Sequence, residues 1–111
     1  MAQNFRRYTE NNVGTSAVDI PDGSNFDSYD AIVGISLANV GSSAINVDCY
    51  INDGSNDIYL VKDAPIPVGS SLQVLDGGAK IVMQNGDALK VKSDTASSAD
   101  VWVSVVDAIS T

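Results

Sequence analysis

The stretch AINVDCYIN, residues 44–52, decides the fold because its apolar side chains recur at every second position. Ile45, Val47, Cys49 and Ile51 fall on one side of an extended chain, and the intervening residues fall on the other. Successive side chains of a β-strand point to opposite faces, so this period predicts a strand with one face in the core. Cys49 is in phase with the apolar positions, and we expect a small buried hydrophobe there.

Outward from this strand, similar short segments recur at intervals of about 8–12 residues. Valine and isoleucine together number 23 against five leucines, and 13 of the 14 acidic residues are aspartates, which favour turns over helices. Pro65 and Pro67 indicate a sheet edge or corner, because proline cannot donate to a β-ladder. The predicted strands cover residues 13–20, 31–40, 44–52, 58–62, 72–75, 80–84, 89–93 and 101–107.

This pattern predicts an all-β protein, an antiparallel β-sandwich with jelly-roll or immunoglobulin-like topology. A small closed barrel is the alternative. The length of 111 residues fits one domain. We place that domain at residues 13–111 and an extended N-terminal arm at residues 1–12, where no sustained period is present.

The arm carries two aromatic and two basic residues. Phe5 and Tyr8 would supply apolar anchors, while Arg6 and Arg7 would bind carboxylates of a partner through their forked donors. The arm is weakly basic, whereas the rest of the chain holds four lysines against 13 aspartates. We therefore interpret the arm as a tether to a protein partner.

The composition excludes several functional classes. A net charge of −8 repels a phosphate backbone, so we expect no nucleic-acid partner. The single cysteine cannot form an internal disulfide, and no apolar run is long enough to span a membrane. The N-terminal residues show no apolar stretch of a signal peptide, so we expect synthesis in the cytoplasm and no membrane association.

We also expect no enzymatic activity. The chain has no histidine, which excludes Ser–His and Cys–His nucleophiles. Glu10 is the only glutamate and lies in the arm, where we expect no pocket that would make it a general acid. The oxygen-rich residues 52–57 do not match EF-hand ligand spacing, and we interpret them as a solvated hairpin turn. No metal or cofactor is expected. Turn chemistry accounts for most aspartates, including Asp22, Asp53, Asp76, Asp87 and Asp94.

The last predicted strand is apolar on both faces. Val101, Val103 and Val105 would face the core, while Trp102 and Val106 would make the other face apolar as well. A strand that is apolar on both faces must be covered on both, which predicts an oligomer or a lattice-bound subunit with Trp102 as an interface anchor. Tyr50 and Tyr59 are further candidates for this partner-binding surface.

Several stretches resemble small virion structural proteins of contractile-tailed phages that infect marine cyanobacteria. The resemblance rests on residues 4–8 (NFRRY), 13–16 (VGTS), 52–60 (NDGSNDIYL), 62–70 (KDAPIPVGS) and 85–87 (NGD). It covers nearly the whole chain. It implies a place in a virion, with capsid or tail subunits as partners, and brings no catalytic residues.

Within such a particle, a head-decoration (cement) or other exterior accessory protein is the leading hypothesis. A neck, collar, tail-fibre attachment or baseplate component is the alternative. A hypothesis from another class is a carbohydrate-binding adhesion module, which would need Tyr50, Tyr59 and Trp102 to stack on sugars. Fold alone does not decide among these roles.

Overall fold

The computed structural model describes residues 4–20, 30–75 and 80–107. Within these ranges the chain forms β-strands and no helix, which confirms the all-β prediction. The strands are β1 (Asn4–Val13), β2 (Val18–Ile20), β3 (Ala31–Asn39), β4 (Ile45–Asn52), β5 (Asp57–Ile66), β6 (Ser71–Leu75), β7 (Ile81–Val82), β8 (Ala88–Ser93) and β9 (Ala99–Asp107).

The described strands form two antiparallel sheets. Sheet A has the order β1-β9-β3-β6, and the short β7 also pairs with β3. Sheet B has the order β2-β8-β4-β5. The alternation of buried and less buried side chains is clearest in β9, and the buried faces of the two sheets form one core. The predicted antiparallel β-sandwich is therefore confirmed over the closed barrel.

The strand pairs are nested along the sequence. β1 pairs with β9, β2 with β8, β3 with β6, and β4 with β5. A chain that folds into one long hairpin and then rolls onto itself produces this nesting, which is the topology of a jelly roll. The described strands thus have jelly-roll topology, one of the two topologies that the sequence left open.

The core lies between the inner faces of the sheets, and its side chains follow the predicted period of two. Cys49 is fully buried between its apolar neighbours, as expected for a small hydrophobe. At one end of the core the hydroxyls of Ser93 and Ser98 lie 2.6 Å apart, so these buried polar groups satisfy each other. The inner residues of β4 and β9 are Ile45, Val47, Cys49, Val101, Val103 and Val105.

The segment predicted as an arm belongs to sheet A. Residues 4–13 are extended, as expected, but they form the edge strand β1 and pair with β9 along nearly their whole length. Residues 1–3 lie outside the described part of the chain. The pattern missed this strand because its side chains are largely exposed, so apolar alternation is weak there.

Two other predicted strands have different bounds. The strand predicted at residues 13–20 is broken, since β1 lies in sheet A and β2 in sheet B. Gly14 lies in this crossing, where an added Cβ would come within 3.2 Å of the Ser97 nitrogen. β5 extends beyond residue 62 because Asp63, at a φ of 51°, forms a bulge whose amide donates to Asp48 Oδ1 over 2.8 Å. Pro65 lies in β5, an edge strand as predicted.

Candidate functional site

The four candidate residues of β1 alternate between two faces. Residues directly opposite each other in an antiparallel pair share a face. Phe5 and Arg7 lie opposite Val106 and Ser104, on the outer face of sheet A. Arg6 and Tyr8 lie opposite Val105 and Val103, on the inner side, and Tyr8 packs against the core.

The four residues therefore do not share one face of the sheet. Two of them reach the outer face of sheet A. Phe5 is 79% exposed there, whereas Tyr8 is partly buried. Only the outward pair can meet a partner that covers the broad face of sheet A.

Trp102 is the centre of that outer face. The side chain is 52% exposed although it lies on β9, a strand paired on both sides. Its cross-strand neighbours are Thr9 and Ser36, which are too short to cover an indole. The Arg7 guanidinium lies 5.4 Å from the Trp102 ring centroid, within the range of a cation–π interaction. Trp102 thus has the position predicted for an interface anchor.

The surroundings of Trp102 are flat because the neighbouring side chains are small. Two shallow depressions of about 310 and 340 Å³ flank the indole. On the β6 side of the indole, Gln73 Nε2 donates a hydrogen bond to Ser36 Oγ over 3.0 Å and holds the Ser36 side chain in place. We call this region the Trp102 surface; it comprises Phe5, Arg7, Thr9, Ser36, Trp102 and Ser104.

Val106 does not contribute to this surface. The sequence places it on the same face as Trp102, and the register agrees, but the side chain is only 8% exposed. A valine between the cross-strand neighbours Phe5 and Ala31 projects much less than an indole between a threonine and a serine. The expectation of an exposed Val106 is therefore wrong.

Tyr50 and Tyr59 lie on the outer face of sheet B, on the opposite side of the sandwich. Their ring centroids are 4.8 Å apart and the rings are tilted by 37°. Tyr50 is 8% exposed and Tyr59 is 41% exposed. Burial, more than the nearby Asp57 carboxylate, raises the pKa of Tyr50. The three aromatic residues proposed as a sugar platform are therefore not on one face.

Sequence reasoning missed a row of contacting side chains that crosses sheet B. Asp19 on β2 forms an ion pair with Lys90 on β8, and the hydrogen bond that the Lys90 ammonium donates to this carboxylate raises the pKa of Lys90. Lys90 lies opposite Tyr50 on β4, and Tyr50 contacts Tyr59 on β5. The row crosses four strands whose residues are far apart in sequence, so no local sequence pattern could predict it. Each member already contacts another member.

The hairpin predicted at residues 52–57 is confirmed. Asp53 N donates to Asn56 O over 3.1 Å and closes the turn. The Asp53 carboxylate accepts hydrogen bonds from the amides of Asn56 and Ser55, which hold its pKa below the usual range. Asn52 Oδ1 accepts from Gly54 N over 2.9 Å. The side-chain oxygens of Asn52 and Asp53 thus accept hydrogen bonds from backbone amides of the same loop.

The thiol of Cys49 is shielded from reaction, because burial raises its pKa to about 12 and keeps it protonated. Among the described residues, no group of three or more His, Cys, Asp or Glu side chains converges as metal ligands do. The described ranges also hold no helix that is long and apolar enough to cross a membrane.

Comparison with known proteins gives a likeness of fold. No family model matches the chain, and no curated protein matches it. It is similar to a chain of the acidic stable capsid structure of Helicobacter pylori bacteriophage KHP30, with a TM-score of 0.63 and 10% identical residues. The match covers 99% of this chain and 90% of that chain, so the two are close in length.

Proposed function

We propose that the chain is a non-catalytic structural protein of a phage virion and, within that class, a head-decoration or other exterior accessory subunit. Two independent lines support this. The sequence resembles virion structural proteins, and the fold is shared with a chain of similar length from a phage capsid. Because 10% identity shows the fold alone, the role rests on the surface of this chain.

The Trp102 surface is the observation that carries the proposal. A half-exposed indole on a flat face of small residues offers a large apolar contact with little side-chain entropy to lose. Interface hot spots are enriched in Trp, Tyr and Arg, and the Trp102 surface combines a tryptophan with an arginine. We infer a protein partner with a pocket for the indole and a carboxylate for Arg7. We propose another virion subunit as this partner.

The carbohydrate-binding alternative is less well supported. Sugar stacking needs exposed rings on one surface, but Trp102 lies on sheet A while Tyr50 and Tyr59 lie on sheet B. Tyr50 also packs against Tyr59 and is nearly covered. A neck, collar, tail-fibre or baseplate location stays open, because any of these would also use a protein-binding surface.

Binding to particles tests the proposal. Purified wild-type chain and the Trp102→Ser variant would be cosedimented with virions stripped of the chain. We expect a loss of about 2 kcal/mol, roughly 30-fold in affinity, on truncation of the anchor. The matched control is Tyr59→Ser, which removes an exposed aromatic ring from the opposite face and should bind normally. Equal binding of wild type and Trp102→Ser would contradict the proposal.

Copy number then locates the subunit. Quantitative mass spectrometry of purified virions would compare the chain with the major capsid protein. Hundreds of copies per particle are expected for head decoration. About a few dozen copies or fewer would support the neck, tail or baseplate alternative, because these structures have low rotational symmetry. Absence from the virion would contradict the structural role.

A further inference from the structure

The edges of the two sheets differ in their protection against pairing with another chain. Natural proteins protect sheet edges with short strands, proline, charged side chains or bulges. Among the described strands, β2, β6 and β7 are short, with three, five and two residues. β5 has ten residues but contains Lys62, Pro65 and the bulge at Asp63. β1 also has ten residues and contains no proline or lysine. Its charged residues are Arg6, Arg7 and Glu10, so pairing with another strand requires that the other strand match these charges.

The outward side of β1 faces no other described strand. β1 pairs with β9, and it stands at the end of sheet A. Its only irregularity is a register shift between Glu10 and Val13, where Asn12 has a φ of 54°. Residues 4–10 are therefore a regular edge whose outward backbone groups match those of another extended strand.

The sequence of β1 is complementary to itself when two copies run antiparallel. A two-fold axis perpendicular to the sheet keeps each side chain on its own face, so one residue at the centre must face its own copy. With Tyr8 at the centre, Arg6 of each copy lies opposite Glu10 of the other. Both charge pairs then fall on one face beside Tyr8, and opposite charges directly across a ladder are stabilising.

The other registers are worse. With Arg7 at the centre, two arginines face each other, and with Arg6 at the centre the same repulsion arises. With Thr9 at the centre, Arg6 lies opposite Asn12 and Glu10 lies opposite Tyr8, so no opposite charges meet. Among these registers, the Tyr8-centred one is thus the one that places opposite charges across the ladder.

We propose that two copies of this chain associate by antiparallel pairing of β1 in the Tyr8-centred register. The five-stranded A sheets join into one continuous sheet. The two-fold axis keeps both Trp102 surfaces on the same side, so the dimer presents two anchors to one partner lattice, and binding gains from avidity. The pairing itself does not depend on the proposed place in a virion.

Charge reversal tests the pairing. Sedimentation velocity over a range of concentrations should show wild type passing from 11.6 kDa to twice that mass. Arg6→Glu and Glu10→Arg each create two like-charge pairs per dimer and should weaken association about tenfold or more. The double variant Arg6→Glu/Glu10→Arg restores opposite charges and should dimerise like wild type. Lys80→Glu, an exposed reversal away from β1, is the matched control.

A disulfide test reports the register directly. In the proposed dimer, Tyr8→Cys places two thiols across the axis at a cross-strand separation compatible with a disulfide. Mild oxidation should give a covalent dimer, and native Cys49 should not react because it is buried. Arg6→Cys is the control, since its copies lie four residues apart along the strands. A monomeric wild type at high concentration, association unaffected by either single reversal, or cross-linking at position 6 but not 8 would overturn the proposal.

Discussion

The two outer faces of the sandwich use aromatic residues in opposite ways. On sheet B, Tyr50 is packed against Tyr59 and lies opposite Lys90, so its ring is nearly covered within the chain while Tyr59 stays partly exposed. On sheet A, Trp102 stands between Thr9 and Ser36 and keeps half of its surface in solvent. Both strands are central in their sheets. The difference therefore comes from the size of the cross-strand neighbours, and it separates a face that stabilises the fold from a face that is available to a partner.

Truncation of each aromatic residue should give the largest contrast. Tyr50→Ala removes a buried ring and its contact with Tyr59, and we expect a loss of about 3 kcal/mol in the free energy of unfolding. Trp102→Ser removes a half-exposed ring, and the loss should stay below about 1 kcal/mol. Urea denaturation of both variants measures these values. Tyr50→Phe is the control that keeps the ring. A larger loss for Trp102→Ser than for Tyr50→Ala would reverse the assignment of the two faces.

Alkaline pH should sharpen the contrast, because β4 of sheet B carries two buried groups that lose protons. Burial raises the pKa of Cys49 from 9.0 to about 12. Above pH 9 the unfolded chain releases the thiol proton while the folded chain retains it, so stability falls as pH rises through this window. The raised pKa of Tyr50 acts in the same direction. From Cys49 we expect a loss of about 2 kcal/mol between pH 9 and pH 11.

Cys49→Ala separates this effect from general alkaline unfolding. The variant should be less stable at pH 8, because a small cavity replaces the thiol, yet its free energy of unfolding should fall less steeply with pH. Urea melts at pH 8, 9, 10 and 11 provide the measurement. Parallel curves for wild type and variant would show that the thiol is not the titrating group.

The sequence predicted those parts of the fold in which a strand has one buried face. The alternation around Cys49 and Val103 correctly predicted the strands β4 and β9 and the side of each that faces the core. We did not predict β1 because it lies at an edge, where most side chains are exposed and few are apolar, and because its register with β9 is set by residues about a hundred positions away. Such non-local pairing leaves no local period.

The candidate surface was predicted in part. Trp102 could be found because a tryptophan out of phase with a valine stripe must lie on the outer face. Val106 shares that phase, but its side chain is much smaller than an indole and lies opposite the large Phe5 ring on β1, a neighbour about a hundred residues away in sequence. The Asp19–Lys90 ion pair likewise joins residues 71 positions apart. Phase is local information, whereas exposure depends on neighbours brought in by the topology.

The smallest expected effect comes from two cation–π pairs, one on each outer face. The Arg7 guanidinium lies 5.4 Å from the Trp102 ring centroid, and the Lys62 ammonium lies 4.7 Å from that of Tyr59. At exposed sites such pairs contribute about 0.5–1 kcal/mol. Arg7→Gln and Lys62→Gln remove the same charge and should each lower stability by no more than this amount. Urea denaturation would therefore hardly distinguish the variants.

Partner binding should distinguish them, because only one of the two faces is proposed to be an interface. Arg7→Gln removes the charge that orients a partner carboxylate beside Trp102, so particle binding should weaken several-fold and tryptophan fluorescence should change. Lys62→Gln should leave both readouts unchanged. If the two variants bound particles equally, the Trp102 surface would be more exposed than the tyrosine face but would not be the partner-binding surface. That result would contradict the proposal that only the outer face of sheet A is an interface.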